Sequence, residues 1–492
     1  MTPAATTAAT DLDPRVCYDA IKRRDARFDG RFYTGVTSTG IFCRPSCPAR
    51  TPRAANVRFY NHAASASEAG FRPCRRCRPE LAPGHPEWNR RADLAGKAMV
   101  LIEEGVVDTD GVAGLAARLG VSERHLRREL KEVVGSGPVQ LAQSRRLWLA
   151  RMLLDQTALS ITDVAFAAGF SSVRRFNEAF RATFDATPSS LRRRPDTSDD
   201  TGAEITLTLP SRGPAGWDDL FRFLRARAVS GLEVATADRF IRGVPGGRIE
   251  LAGDDEANRL RLRCSLDRMD RLAPLVSLVR RFADLDTDLE PVTAHLSSDP
   301  DLAVRLARRP LPRLPGCLDP FELAVRAVVG QQVSVAGAAT TLAALLVLVE
   351  GDLNLDPDPD LDKPSGETAT VLRAGFPTAA QVAAAPLDRL GMPTRRRETV
   401  RALAEAVADG TIDLTSAADG ERTHAQLLSL PGIGPWTAGY IAMRALNDPD
   451  GWPTGDLVLR NSLGVSAGEL DRRAEAWRPF RAYAAMTLWA TA

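Results

Sequence analysis

The chain of 492 residues has little of several sequence features, and each shortage excludes a class of protein. Its longest apolar runs, such as LAALLVLV at 342–349, are far shorter than the ~20 residues of a membrane-spanning helix. The first ten residues, MTPAATTAAT, contain neither a basic segment nor an apolar core, so they do not form a secretory signal. We therefore expect a cytoplasmic protein with no membrane partner, and residues 1–10 as a disordered tail.

Cysteine is scarce, at seven residues, yet four of the seven fall in one arginine-rich stretch. Cys43 and Cys47 stand in GIFCRPSCPAR, and Cys74 and Cys77 follow in FRPCRRCRP. In a reducing compartment, two close pairs of thiols favour one tetrahedral Zn²⁺ over disulfides. The spacing leaves two roles open. The zinc is purely structural, or one electron-rich thiolate also attacks a methyl group, which would change the formal charge of the site from about −2 to about −1.

Lysine is almost absent, with 4 residues against 60 arginines, and the formal net charge is only +2. This charge is unevenly distributed. Residues 1–195 contain 31 basic and 20 acidic side chains, whereas residues 196–492 contain 33 and 42. A coding bias explains abundant arginine but not the difference between the two parts. The basic first part therefore favours a nucleic-acid partner.

Polar, proline-containing stretches divide the chain into several domains. The clearest is RRRPDTSDDTGAE at 192–204, and ELAPGHPEWN at 80–89 is a weaker boundary. The predicted fold class is a multidomain protein with the following parts: a small α+β zinc domain (11–88), an all-α tandem helix-turn-helix domain (89–195), a linker (196–204), an α+β subdomain (205–310) and an all-α helix-hairpin-helix domain (311–492).

Two segments of the second domain have the pattern of a helix-turn-helix motif. They are VAGLAARLGVSERHLRREL (112–130), with Gly120 at the turn, and ITDVAFAAGFSSVRRFNEAFRATF (161–184), with Gly169 at the turn. Two such motifs can place two recognition helices in successive major grooves of DNA, although a solvated basic face has the same composition. The side chains that we predict to contact DNA are Arg124, Arg127, Arg128, Arg174, Arg175, Asn177 and Arg181.

The segment LLSLPGIGPWTAGYIAMRAL (427–446) predicts a helix, a tight glycine hairpin and a second helix. Gly432 and Gly434 permit the hairpin, whose N–H groups can approach a DNA phosphate and whose carbonyls can hold a cation. Asp456 follows in WPTGDLVLRNSLG, and two roles are open for it. It is a helix N-cap, or it is a carboxylate that stabilises positive charge at a sugar C1′ while an alkylated purine leaves. A flipped cationic base favours an aromatic pocket, for which Trp436, Tyr440 and Trp489 are candidates.

The cysteine-rich segment resembles a known family. RFYTGVTSTGIFCRPSCPAR together with AGFRPCRRCRPE is similar to the N-terminal domain of Ada-type methylphosphotriester sensors. The resemblance implies that Cys43 accepts a methyl group from DNA, and that Cys47, Cys74 and Cys77 complete the ligands of one Zn²⁺. The tandem motifs, which end in TPSSLRR (187–193), resemble the AraC-type regulator domain. That resemblance implies promoter DNA as a target and RNA polymerase as a further partner.

From residue 205 onward the chain resembles the AlkA-type 3-methyladenine DNA glycosylases, through DPFELAVRAVVGQQVSVAGA (319–338) and LPGIGPWTAGYIAMRA (430–445). The resemblance implies that Asp456 is the catalytic carboxylate. It also implies a base pocket formed by Trp436, Tyr440, Trp489 and Phe223. Relatives that also cleave the DNA backbone have a lysine nucleophile at position 436, so tryptophan there implies a monofunctional glycosylase.

Two positions depart from the family pattern. Gln332 stands where an apolar wedge fills the gap left by the flipped base, and Leu457 replaces an aromatic residue after the catalytic aspartate. Gln332 is still predicted to contact DNA, with a weaker wedge, and the replacement at 457 implies a different pocket shape.

These observations predict a monomeric response protein for DNA alkylation damage that acts on double-stranded DNA. It would accept methyl groups from phosphotriesters, regulate transcription, and excise alkylated purines such as 3-methyladenine. No PCHR-type motif occurs, so no O6-methylguanine methyltransferase domain is expected. One alternative is a methylation-activated regulator with a degenerate glycosylase half. Another is a glycosylase whose first two domains only locate damage.

Overall fold

The structure is a computed structural model that describes residues 13–79, 94–193, 204–213, 216–254, 258–350, 372–415 and 418–491. It forms two compact units. The first contains residues 1–213, 268–280 and 285–287, and the second contains 214–267, 281–284 and 288–492. The predicted tail (1–10) and the predicted linker as far as residue 203 lie outside the described residues. No helix of the described ranges has both the length and the apolar character needed to cross a membrane.

The first unit begins with a small mixed layer and continues with helices. Its strands are β1 (Tyr33–Val36), β2 (Ile41–Cys43), β3 (Val57–Tyr60), β4 (Arg72–Pro73) and β5 (Ile205–Pro210). Its helices are α1 (Pro14–Arg23), α2 (Ala63–Glu68), α3 (Leu94–Glu103), α4 (Val106–Thr109), α5 (Gly111–Arg118), α6 (Glu123–Val133), α7 (Pro138–Gln156), α8 (Ile161–Ala167), α9 (Val173–Phe184) and α10 (Pro188–Leu191). The predicted order of a small α+β domain and an all-α domain is confirmed.

Strand pairing brings the two cysteine pairs together. In the order β3-β1-β2-β4, strand β1 pairs antiparallel with β2 and β3, and β4 pairs parallel with β2. Cys43 ends β2 and Cys74 directly follows β4, so the parallel pair places both at one edge of the sheet. The N–H of Cys74 donates to the carbonyl of Phe42 at 2.9 Å.

Both predicted helix-turn-helix motifs are present, and each turn requires a glycine. Gly120 (φ +67°) lies between α5 and α6, and Gly169 (φ +92°) lies between α8 and α9. These left-handed conformations crowd any residue that has a Cβ atom. Ser122 and Ser172 then cap α6 and α9 by accepting a hydrogen bond from a backbone N–H of the first turn. The buried faces of the two helices contain Leu126, Leu130, Phe176, Phe180 and Phe184.

The second unit combines an antiparallel sheet with a helical bundle, as predicted. The helices are α11 (Trp217–Arg227), α12 (Leu272–Phe282, which groups with the first unit as far as residue 280), α13 (Leu289–Leu296), α14 (Pro300–Arg308), α15 (Pro320–Val329), α16 (Val335–Glu350), α17 (Ala379–Ala384), α18 (Thr394–Ala408), α19 (Gly420–Ser429), α20 (Pro435–Ala445), α21 (Leu457–Leu463), α22 (Ala467–Ala474) and α23 (Arg481–Ala490). The strands are β6 (Glu233–Ala235), β7 (Arg239–Val244), β8 (Gly247–Asp254) and β9 (Arg259–Leu266), each antiparallel to the next.

Two hydrophobic clusters fix the helices of the second unit. One includes Val328 of α15, Leu403 of α18 and Ile441 of α20. The other includes Met443 of α20 and Leu459 of α21, together with α14 and α23. Because α20 contributes to both clusters, burial on two sides holds it in place. Helix α20 carries two of the aromatic side chains of the candidate pocket, Trp436 and Tyr440.

Candidate functional site

The four predicted zinc ligands meet in the first unit. The sulfur atoms of Cys43, Cys47, Cys74 and Cys77 all lie within 4.8 Å of one another. A tetrahedral Zn²⁺ with Zn–S bonds of about 2.3 Å needs sulfur–sulfur distances of about 3.8 Å, so a small contraction would complete the site. Cys74 and Cys77 are buried, whereas Cys43 and Cys47 are only half-buried. A reagent can therefore approach the first pair more easily.

The chemistry of the thiols also fits a metal. Hydrogen bonding with its three neighbours raises the pKa of the Cys43 thiol. Hydrogen bonding with Cys43, Cys47 and Cys77 lowers the pKa of the Cys74 thiol. Four thiolates this close together would repel one another, whereas a divalent cation would stabilise all four.

The loop between Cys43 and Cys47 is held by a side chain that the sequence did not reveal. Asp29 accepts hydrogen bonds from the N–H of Ser46 at 2.9 Å and from its hydroxyl at 2.6 Å, and it lies 3.3 Å from a guanidinium nitrogen of Arg44. Burial raises the pKa of Asp29, although the bonds from Ser46 oppose this effect. No spacing rule connects Asp29 with a loop 17 residues away, so only the fold shows this contact.

Most of the predicted DNA-contacting side chains project into solvent. The exposed ones are Arg124, Arg127, Arg128, Arg174, Arg175 and Arg181. Arg127 pairs with Glu123 at 2.8 Å and Arg174 pairs with Glu178 at 2.9 Å. Such exposed pairs are weak, so a phosphate could replace the carboxylate in either pair. Asn177 differs, because it is half-buried and its amide donates to the carbonyl of Val173 at 3.0 Å.

The predicted base-pocket residues line one cavity of about 500 Å³ in the second unit. Trp436 stacks on Tyr440 with ring centroids 5.3 Å apart and an interplanar angle of 5°. Trp489 meets Tyr440 edge to face at 6.1 Å. Phe223 also contributes to the wall, so all four aromatic residues line this one cavity. Leu457 is 63% exposed and does not line this cavity, and the different pocket shape expected from its replacement of an aromatic residue stays a prediction.

Asp456 is both a helix cap and a pocket residue. Its Oδ1 accepts hydrogen bonds from the N–H of Leu459 at 2.9 Å and from the indole of Trp489 at 3.2 Å. Its Oδ2 accepts from the indole of Trp436 at 2.7 Å. The helix cap is therefore present, and the same carboxylate, which is 7% exposed, also lines the cavity.

The pocket also contains charged side chains that we did not predict. The guanidinium carbons of Arg227 and Arg444 lie 3.8 and 4.6 Å from the ring centroid of Phe223. Arg444 also donates to the hydroxyl of Tyr440 at 2.9 Å. Burial alone would raise the pKa of Tyr440, but the charges of Arg444 and Arg227 outweigh it and lower the pKa.

Two other arginines that line the cavity form a buried network of ion pairs with two glutamates. Arg242 donates to Glu233 at 2.7 Å and to Glu322 at 3.0 Å, and Arg326 donates to both carboxylates at 2.7 Å. The cavity lining contains four arginines and four carboxylates: Arg227, Arg242, Arg326, Arg444, Glu233, Asp319, Glu322 and Asp456. The lining is thus formally neutral, so it does not repel a cationic base. The sequence contained one signal for this network, because Glu322 and Arg326 lie four residues apart on α15, a spacing typical of ion pairs along a helix.

The loop after α15 adjoins the glycine hairpin. Gln331 donates to the carbonyl of Gly432 at 3.0 Å and to the hydroxyl of Thr437 at 2.9 Å. Gln332 is exposed at φ +54°, a conformation that is strained for a residue with a side chain. Val333, 42% exposed, follows it at the rim of the pocket.

The two hairpin glycines differ. Gly432 has φ +89°, and a Cβ atom there would lie 2.1 Å from the Thr399 hydroxyl. Gly434 has φ −100°, so our expectation that both glycines give the hairpin its conformation holds only for Gly432. A Cβ atom at Gly434 would meet nothing within 4 Å, so the space beside the start of α20 is open. A cation at the hairpin stays a prediction.

The chain combines a four-cysteine zinc site, tandem helix-turn-helix motifs and a helix-hairpin-helix pocket that contains a carboxylate bound by two indoles. These features define a class of DNA-binding proteins in which a metal-containing sensor is joined to a glycosylase fold. Comparisons with known protein families support this assignment. Residues 16–80 match the metal binding domain of Ada, residues 115–194 match a helix-turn-helix domain, and residues 206–319 match the AlkA N-terminal domain.

A protein of Mycobacterium tuberculosis, described as a probable bifunctional transcriptional activator/DNA repair enzyme AlkA, is 42% identical over 96% of either chain. The Escherichia coli DNA-3-methyladenine glycosylase 2 is 33% identical over 58% of this chain and 96% of its own length. The E. coli activator and repair enzyme Ada is 36% identical over 37% of this chain and 50% of its own. This chain belongs to the family of bifunctional Ada/AlkA-type transcriptional activators and DNA repair enzymes, and the predicted Zn²⁺ site is confirmed with it.

Proposed function

We propose that the second unit excises alkylated purines such as 3-methyladenine by hydrolysing the N-glycosidic bond, without cutting the strand. The observation that carries this proposal is the carboxylate of Asp456 in an aromatic cavity, held by two indole N–H groups. A purine alkylated at N3 or N7 is already a good leaving group, so the enzyme mainly has to stabilise the positive charge that develops at C1′.

The hydrogen bonds of Asp456 favour this electrostatic role. Leu459 and Trp489 occupy the two lone pairs of Oδ1, and Trp436 occupies one lone pair of Oδ2. Within the described residues, this leaves one lone pair of Oδ2 for a water molecule or the sugar. The carboxylate is thus oriented before the base enters, and little reorganisation is needed during the reaction.

Substrate recognition would use the remaining features of the pocket. The stacked pair Trp436 and Tyr440 offers an electron-rich face to a flipped cationic base, and the neutral balance of the charged lining does not oppose its entry. Gln332, which directly precedes the cavity residue Val333, would occupy the gap that the base leaves. Hairpin N–H groups near Gly432 and Gly434 would bind a backbone phosphate. A tryptophan at position 436 cannot form a Schiff base, which supports a monofunctional enzyme.

We further propose that Cys43 accepts one methyl group from a DNA methylphosphotriester, once per molecule. Zinc, when bound, would hold all four sulfurs as thiolates. The half-buried sulfur of Cys43 displaces the phosphate oxygen from the methyl carbon, which forms a C–S bond and leaves a phosphodiester anion. The site then carries one negative charge less, which would strengthen DNA binding by α6 and α9 and allow contact with RNA polymerase at a promoter.

The protein would act as a monomer in the cytoplasm, the compartment that we expect to hold its DNA. One incubation tests both activities. Full-length protein is mixed with methylated duplex DNA, and released bases are separated by chromatography while methyl transfer is located by peptide mass spectrometry. We expect free 3-methyladenine, an abasic but uncut strand, and one methyl group on Cys43. Methyl transfer without base release would support the alternative of a regulator with a degenerate glycosylase half.

A further inference from the structure

The first unit holds another cavity, of about 250 Å³, beside the zinc ligand Cys74. Its walls come from the Cys74 loop, from α7 and from the end of α9 with the α10 segment. The lining contains five arginines: Arg75, Arg78, Arg151, Arg192 and Arg193. Guanidinium groups repel one another, so their convergence on one cavity indicates an anionic ligand.

Three of the arginines, Arg75, Arg151 and Arg192, are anchored by backbone carbonyls. Nη2 of Arg75 donates to the carbonyls of Phe184 at 3.3 Å and Asp185 at 3.0 Å, at the C-terminal end of α9. Arg192 donates to two carbonyls of the segment after α7, at 3.3 and 2.5 Å. A guanidinium has five N–H donors, so these bonds fix the side chains and leave further donors for a ligand. Side chains that are already fixed lose less entropy on binding.

The balance of charge around the cavity is positive. Asp155 pairs with Arg78 and Arg151, and the four thiolates with Zn²⁺ add a formal charge of about −2 beside Cys74. Five guanidinium groups exceed these three negative charges. Phosphate is the anion whose oxygens best match several guanidinium groups at once, because each pair can form two parallel N–H···O bonds.

We propose that this cavity is a binding site for a phosphate group, with Arg75, Arg192 and Arg193 as its donors. The cavity is bounded by the sensor on one side and by the second helix-turn-helix motif on the other. A DNA backbone phosphate bound here would fix both on the same duplex, and a free phosphate ester would occupy the same donors. The site needs no methyl transfer, so it is tested on unmethylated protein and does not depend on the chemistry proposed for Cys43.

The test uses full-length, zinc-loaded protein and two probes. Pyrophosphate binding is measured by calorimetry at low salt, and binding of unalkylated duplex DNA is measured by fluorescence anisotropy over a range of salt concentrations. Arg193→Gln changes an exposed side chain and should leave the fold intact, whereas Arg75→Gln also removes an anchor to α9. Arg58→Gln is the matched control, because Arg58 is an exposed arginine of the same sensor outside the cavity.

We expect pyrophosphate binding to weaken about tenfold in each cavity variant, as for loss of one charge-assisted hydrogen bond, and to stay unchanged in Arg58→Gln. If pyrophosphate does not bind but the salt dependence of DNA binding falls by about one phosphate contact in the cavity variants, the ligand is the DNA backbone. The proposal is wrong if both measurements are the same in wild type and cavity variants, or if Arg58→Gln reproduces their losses.

Discussion

Replacing Asp456 by asparagine removes a negative charge from the pocket with little change in side-chain shape. The amide oxygen can take the place of Oδ1 and keep accepting from the N–H of Leu459 and the indole of Trp489. The new NH₂ group would then face the indole N–H of Trp436, which now donates to Oδ2 at 2.7 Å. Because these two donors would face each other without an acceptor, we expect the free energy of unfolding to fall by about 1–3 kcal/mol.

The effect on rate should be larger. A carboxylate about 4 Å from a developing positive charge contributes about 4 kcal/mol at an effective dielectric constant of about 20. Loss of this term corresponds to a rate about 10³-fold lower, since each 1.36 kcal/mol is a factor of ten. A residue that only capped α21 would show no such loss, because asparagine caps a helix as well as aspartate does.

The assay is release of 3-methyladenine from alkylated duplex DNA under single-turnover conditions, with enzyme in excess so that binding does not limit the rate. Asp419→Asn is the matched control. Asp419 caps α19 by accepting from the N–H of Arg422 at 3.2 Å, and it lies outside the pocket. We expect wild-type rates for the control. A wild-type rate for Asp456→Asn would refute the electrostatic argument, and equal losses in both variants would assign the effect to the fold of the domain.

Three further changes test the rest of the molecule. Cys74→Ser should reduce the zinc content from one ion per chain to none and unfold the sensor, as measured by elemental analysis and thermal melting, because metal binding here is coupled to folding. Gly432→Ala should cost more than about 2 kcal/mol of stability by chemical denaturation and weaken binding to undamaged DNA, since it combines φ +89° with a contact to Thr399. Burial lowers the pKa of His62 to about 4, so stability of the first unit should be lost as pH falls from 6.5 towards 4. His62→Asn keeps an acceptor for the N-terminus of α2 and should flatten that part of the pH dependence of the melting temperature.

The residues that sequence predicted correctly follow short-range rules. The four cysteines form two close pairs, and the helix-turn-helix motifs show apolar spacing along single helices, which is visible without a structure. Trp436, Tyr440 and Trp489 were candidates from their aromatic character, whereas Phe223 came only from a family resemblance, because nothing in the local pattern connects it with the other three. The zinc and helix-turn-helix predictions succeeded because metal chemistry and helix geometry constrain the residue spacing within short segments.

The residues that sequence missed are brought together by tertiary packing. Arg227 and Arg444 are separated by more than 200 residues, yet both lie over the ring of Phe223. Asp29 likewise contacts the cysteine loop from 17 residues away in the chain. Arginine is so common in this chain that one more arginine in a helix carries no signal, and only its neighbours in space show its role.

Asp456 shows why the two interpretations of one residue need not compete. The cap at α21 uses Oδ1, and this bond fixes the plane of the carboxylate so that Oδ2 meets the indole of Trp436. Trp436 is held in turn by α20, which is anchored in both hydrophobic clusters of the second unit. The orientation of the carboxylate therefore depends on the packing of α20 and on the cap together. A pocket built in this way needs no movement of the carboxylate when a base enters, and this is the condition under which a fixed charge lowers a barrier most.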